Sequence, residues 1–129
     1  MSGQASAALI AAAMAALQEV GGLTGSHEAM PLQAAPPYAT VAAGLEADWS
    51  HKSGLGREAR LTVTLIDQGE RPTRLRRLAA EVAEALEGIG PELDGWRLVT
   101  LVFVRSMIVA QSAGRWALTL DYRARILAG

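Results

Sequence analysis

Hydrophobic and polar positions along the chain change period several times, and each change marks an element. Over residues 4–20 the apolar positions Leu9, Ile10, Ala13, Leu17 and Val20 fall close to helical spacing and make one stripe. Alanine, the best helix former, fills most of the rest, and Gly21-Gly22 stops the run. Glycine and proline then recur through residues 21–37, which predicts a loop, and Pro36-Pro37 delivers the chain extended to Tyr38. Residues 38–43 (YATVAA) read as a strand with Gly44 at its end, continued irregularly by EADW. Residues 50–56 (SHKSGLG) are polar and read as a flexible loop. Residues 57–67 alternate at period two. Leu61, Val63 and Leu65 face one way and Arg60, Thr62 and Thr64 the other, which predicts a strand with one buried face.

Gly69 turns the chain, and Pro72 suits the first turn of a second helix. Leu75, Leu78, Ala79, Val82 and Leu86 then repeat at three and four residues, carrying that helix to Gly88. Residues 88–95 connect it to a long β-rich run, 96–111, apolar on both sides in its middle. Residues 112–115 are a glycine-containing turn and 116–127 alternate again, so the last two strands make a β-hairpin. The expected fold is α+β over a single domain, 1–129. It is an antiparallel four-stranded sheet with two helices packed on one face, in the order α-β-β-α-β-β, with a long C-terminal β-hairpin.

The hairpin is long for its domain. Residues 96–111 would extend roughly 50 Å at about 3.3 Å per residue, whereas a globule of this length is about 35 Å across. The hairpin therefore curves strongly, breaks at a bulge near Arg105-Ser106, or projects from the body. One face of its apolar middle is covered by the helices, and the chain supplies no third layer for the other. A neighbouring subunit would cover it; the alternative is a monomer with a twisted hairpin and some exposed valine.

The chain has 129 residues, enough for one domain with a core, and half of them are apolar. A net charge of −1 carries no footprint of a nucleic-acid or membrane-surface binder. The absence of cysteine excludes disulfides, thiol catalysis and cysteine-rich zinc sites. His27 and His51 are the only histidines, so no histidine-rich metal site is expected within one subunit. The run SAALIAAAMAAL (6–17) has no Lys or Arg before it and Gln18-Glu19 after it, so it reads as a helix and not as a signal peptide. It is also shorter than the roughly 20 residues that a bilayer requires.

Catalytic motifs are missing. There is no GxGxxG, P-loop, HExxH, GxSxG or EF-hand pattern, and SGLG (53–56) lacks the lysine of a phosphate cradle. His51 has Asp48, Ser50 and Ser53 nearby, but adjacency in sequence is not triad geometry. It reads as an exposed loop residue, as does His27 beside Glu28. Glu81, Glu84 and Glu87 read as the solvated flank of the second helix. No catalytic residue, cofactor or metal is expected. More informative are Arg71, Arg74, Arg76 and Arg77, which crowd the N-terminal turn of the second helix, where the macrodipole disfavours positive charge. Arg77 precedes Glu81 by four residues, the weaker orientation for a helical ion pair. Helix stability does not explain the cluster. Either it is a tolerated surface accident or it meets an acidic partner. Nucleic acid ranks third, since no aromatic residues interleave for base stacking.

PPYATVAAG, DWSHKSGLGREARLTVTL, RLRRLAAEVAEALEG, LDGWRLVTLVFVRS and GRWALTLDYRARI follow one another over most of the chain. In order and spacing this set resembles the small tail-completion proteins of long-tailed phages, which include tail terminators and their counterparts in gene transfer agents. The resemblance implies a structural virion protein without catalysis, an antiparallel sheet flanked by helices. It implies a homo-oligomer, a hexameric ring that caps the tail tube protein, stops its polymerisation and presents a face to the head-tail connector or stopper protein. DNA would pass through the channel without sequence-specific binding, and no membrane is involved. The implied place is the head-proximal end of the tail, after assembly in the bacterial cytoplasm. Within that frame Trp49 anchors its loop to its own sheet, while His51, Lys52 and Arg57 touch a neighbour in the ring or stack. Arg123 and Arg125, on the polar side of the last strand, face either DNA in the lumen or acidic residues of the adjoining subunit. Two other readings stand beside this one: a head-tail neck adaptor without length control, and a ligand-binding α+β domain.

Overall fold

Leu75, Leu78, Ala79, Val82 and Leu86, the residues of the second helical stripe, are all buried on α2 (Thr73–Glu87) in the computed structural model, which describes residues 4–129. The first stripe becomes α1 (Ala5–Leu17), where Ala5, Leu9, Ala13 and Leu17 are buried at every fourth position. That narrow contact, alternating alanine with leucine, lets α1 lie close to the sheet. Both helices join one core with the sheet.

The strands are β1 (Ser26–His27), β2 (Tyr38–Ala42), β3 (Glu46–Asp48), β4 (Gly56–Gln68), β5 (Glu92–Leu93), β6 (Trp96–Ala110) and β7 (Arg115–Ala128). They form a 7-stranded sheet in the order β1-β2-β4-β7-β6-β5, with β3 pairing β4 off that path. The expected antiparallel four-stranded sheet in the order α-β-β-α-β-β is thus corrected on both counts. There are seven strands, and the sheet is mixed, because β1 runs parallel to β2.

The physical reason lies in the three extra strands, which are two or three residues long and show no periodicity of their own. β1 is brought to β2 from within the glycine- and proline-rich loop. Thr24 N donates to the Pro37 carbonyl at 2.8 Å and Ala39 N to the Gly25 carbonyl at 3.0 Å. β3 lies along β4, Glu46 opposite Ala59 and Asp48 opposite Arg57. β5 folds back on β6 through Asp94-Gly95, with Gly95 at φ 77° and Leu93 opposite Trp96. An Asp-Gly pair is a strong short-hairpin signal, so this one was visible in LDGW.

The long hairpin does not stand alone. β4 pairs with β7 from Gly56↔Leu127 to Gln68↔Arg115, so three long strands run side by side. Opposite residues share a face: Leu61 with Tyr122, Val63 with Leu120 and Leu65 with Leu118, all buried in the core shared with the helices. Register shifts between Leu98 and Thr100 and between Phe103 and Arg105 mark two irregularities in β6. Each inserts one residue and restarts the alternation, which is why the run looks apolar on both sides. Leu98, Leu101, Phe103 and Ile108 share the helix face, while Val102, Met107 and Val109 share the other. The second shift, at Val104, lies just before the expected Arg105-Ser106.

Candidate assembly surfaces

The loop after β3 is built, not slack. Trp49 N donates to the Gly56 carbonyl at 2.9 Å, Gly56 N donates to Ser50 Oγ at 3.0 Å, and His51 N donates to the Gly54 carbonyl at 2.8 Å. Ser50 Oγ donates to Asp48 Oδ1 at 2.6 Å, and this hydroxyl is the main reason the Asp48 carboxyl lies below its ordinary range. His51 packs edge-on against Trp49, with centroids 4.5 Å apart. The Arg125 guanidinium lies 5.5 Å from the Trp49 ring centroid and donates through Nε to Glu58 Oε2 at 2.9 Å. Arg57 is 3.3 Å from Asp48 and 3.7 Å from Glu46.

Of the expected contact residues, Trp49, His51 and Arg57 are therefore occupied within their own subunit. Lys52, at the loop tip, is exposed and makes no ion pair among the described residues. Ser50 bonds to Asp48 and His51 stacks on Trp49, so these residue types form no triad. Arg123 is half-buried, and its Nε is buried without a hydrogen-bond partner.

The arginine cluster divides. Arg74 donates from Nε to Asp67 Oδ2 at 2.9 Å and from Nη2 to Asp67 Oδ1, a bidentate pair onto a buried carboxylate that also accepts from Gln68 N at 2.8 Å. This tie between the end of β4 and the start of α2 explains a cation in an unfavourable helical position. Arg71, Arg76 and Arg77 are exposed and make no ion pair among the described residues. Sequence reasoning missed Asp67 and a second buried carboxylate, Asp121, because each sits within a strand pattern. Asp121 accepts from Thr62 Oγ1 at 2.7 Å and from Arg105 Nε at 2.9 Å.

Both carboxyls titrate below the ordinary range, Asp67 chiefly through its Arg74 hydrogen bonds and Asp121 chiefly through the Thr62 hydroxyl and then Arg105. A carboxyl depressed in the folded state stabilises the fold while ionised and loses that contribution as pH falls through its folded value. Urea midpoints are therefore expected to fall below about pH 4, the ordinary aspartate range. An Asp67→Asn, Asp121→Asn double variant is expected to start lower at pH 7 and to lose less on acidification. Parallel acid limbs for the two proteins would refute the assignment.

Among the described residues, two apolar surfaces border β6. Ala79, Ala83, Leu101, Phe103 and Tyr122 line a groove of about 400 Å³ between α2 and the hairpin. Phe103 meets Tyr122 edge-on with centroids 5.7 Å apart, yet stays 53% exposed. Burial, and after it the charge of Glu87, pushes the Tyr122 hydroxyl up. The second surface is the edge of the sheet at β6. β5 pairs with Trp96 and Arg97, Leu98 N donates to the Pro91 carbonyl at 2.7 Å, and beyond Leu98 the strand has no outer neighbour among the described residues. The opposite edge is similar, since β1 covers only Ala39 and Thr40 of β2. Among the described residues no group of three or more His, Cys, Asp or Glu is placed to hold a metal, and no helix is long and apolar enough to cross a membrane.

Residues 6–127 match the family model described as tail completion protein gp17. None of the curated proteins matches. Among solved structures, a chain of the virion of a native gene transfer agent particle is 27% identical, with a TM-score of 0.75 over 98% of this chain and 100% of that one.

Proposed function

The chain belongs to the tail completion protein gp17 family of virion tail proteins, and from that premise we propose that it closes the head-side end of the tail as a ring of identical subunits. The observation that carries this reading is the sheet with two open edges. Among the described residues β6 lacks an outer neighbour beyond Leu98 and leaves Val102, Phe103, Met107 and Val109 exposed. Unpaired edges of this kind invite another chain. Contacts between two different surfaces of identical subunits generate a ring when the rotation closes. A six-membered ring with a channel for DNA agrees with the family resemblance.

In this reading the ring caps the tail tube, stops its growth and joins it to the head-side connector. Arg71, Arg76, Arg77 and Lys52, exposed and without an ion pair among the described residues, are available for acidic surfaces of those partners, while Arg74, Arg57 and Arg125 hold the subunit together. Arg123 lies on the face turned away from the helices. Arg125 is paired with Glu58, whereas Arg123 makes no ion pair among the described residues, so Arg123 is the better candidate of the terminal pair for a contact across the ring or with DNA. The protein has no catalytic role.

Tail length in particles that lack this gene tests the proposal, read by negative-stain electron microscopy. Overlong, headless tubes are expected, because growth is no longer capped. Tubes of normal length that fail to join heads would make the protein a neck adaptor instead. Complete particles with tails of normal length would overturn both roles.

A further inference from the structure

A ring brings one edge of each sheet against the opposite edge of the next, and these two edges carry matching groups. At the first edge the loop after β1 holds Met30 62% exposed and Leu32 fully exposed. This loop is braced. Tyr38 Oη donates to Met30 Sδ at 3.3 Å, Thr24 Oγ1 donates to the Ala35 carbonyl at 2.6 Å, and Ala34 packs on Tyr38, Ile66 and Ala117. The contacts with Tyr38, Ile66 and Ala117 fix the loop to the face away from the helices. Glu28 follows β1 directly and is exposed, with no ion pair among the described residues. A braced loop that holds a leucine in water gains nothing for its own subunit.

At the second edge, on the same face of the sheet, Met107 is 57% and Val109 45% exposed. The register places the two edges at the same height. One cross-strand row runs Tyr38, Ile66, Ala117, Val109, and the next runs Thr40, Thr64, Thr119, Met107. His27, just before Glu28, pairs with Thr40 in that second row. Arg105 stands beyond Met107 with its side chain 71% exposed, although its Nε is bonded to Asp121. Each edge thus offers two apolar side chains on the face away from the helices.

We propose that residues 30–32 of one subunit lie across β6 of the next subunit in the ring, with Met30 and Leu32 covering Met107 and Val109. The contact rests on the ring reading and names the surfaces that make it. A second copy is the occupant because head-to-tail closure sets this edge against that one, and because the braced loop and the exposed β6 side chains stand on the same face at the same height of the sheet. The contact supplies the cover that β6 lacks.

The absence of cysteine makes the test direct. Leu32→Cys and Val109→Cys are introduced together into the full chain, tails are assembled, and a short bismaleimide is added. A denaturing gel is expected to show a ladder of crosslinked subunits up to the ring. Met30→Cys with Met107→Cys is expected to give the same ladder, which guards against one pair failing to fold. Either cysteine alone, or Leu32→Cys with Leu55→Cys, is expected to give none. Rings visible by electron microscopy without a ladder from either pair would overturn this contact and leave the ring standing. Tails without rings would overturn both. A crosslink to a different tail protein, or a ladder equally strong with Leu55→Cys, would overturn the contact as well.

Discussion

Leu61→Ala is expected to lower the unfolding free energy by about 2–5 kcal/mol, the usual range for emptying a buried leucine site. Leu61 is fully buried near the middle of β4, with β7 on one side of it and both helices in the same core. The strand is held in the antiparallel β7 ladder along its whole length, so the backbone cannot close in on the void, and the cost belongs in the upper part of that range. Set against a total of about 5–15 kcal/mol for a typical domain, this one truncation removes a large share of the stability. The effect should also travel. Leu61 lies opposite Tyr122, and Phe103 packs edge-on against Tyr122 at the groove. The variant should therefore loosen the hairpin surface as well as the core. Urea unfolding followed by circular dichroism checks the result, which should be a lower midpoint at unchanged slope. Val102→Ala, on the half-exposed far face, is the comparison and should change stability by no more than about 0.5 kcal/mol. Equal losses in the two variants would mean that the far face is already buried in the isolated protein.

How much of this was legible in the sequence depends on length and on reach. Both helices could be read because their apolar stripes recur over several turns, and the three long strands because alternation persists over many residues. β1 could not be read, and β3 was read only as an irregular continuation of the strand before it. Strands of two or three residues carry no period, and they form because a distant partner, Ala39 or Ala59, presents a free ladder position. β6 shows another limit. Its two inserted residues make one strand look apolar on both faces, so the pattern was read correctly as unusual while its cause stayed hidden until the register was known. Charge was hardest. Arg74 was grouped with Arg71, Arg76 and Arg77 as an outward-facing cluster, but its partner Asp67 lies seven residues earlier, across a turn whose geometry no spacing rule supplies. The same holds for Arg125, which is paired with Glu58 on a strand 67 positions away. Within the resemblance, Trp49 was expected to anchor the loop to its own sheet, and His51, Lys52 and Arg57 to touch a neighbour. In the folded chain the first partners of Trp49, His51 and Arg57 are one another and the sheet beneath them.

That loop supplies the sharpest test of whether local composition or tertiary contact decides its behaviour. Gly56→Ala is expected to destabilise the protein by at least the upper end of the about 1–3 kcal/mol typical of overpacking. A β-carbon at Gly56 would overlap the Trp49 carbonyl oxygen and stand only 2.9 Å from the Trp49 carbonyl carbon and 3.0 Å from Leu127 Cδ2. The leucine can turn aside, but the backbone carbonyl cannot. The Trp49 amide is bonded to the Gly56 carbonyl and the Gly56 amide to Ser50 Oγ, so relief requires breaking the loop's own ladder. Once that opens, Trp49 leaves the Arg125 guanidinium and the His51 ring, and the stack on the far face of the sheet comes apart. Gly54→Ala, two residues away, places its β-carbon in open space and should be nearly silent. The pair can be compared by urea midpoint and by the indole N–H resonance of Trp49, which should shift only in Gly56→Ala. If both substitutions are silent, the stretch is the pliable connection its glycines and serines suggest. If only Gly56→Ala is costly, the close approach of two backbone segments shapes the loop, and Lys52 is presented from a rigid mount.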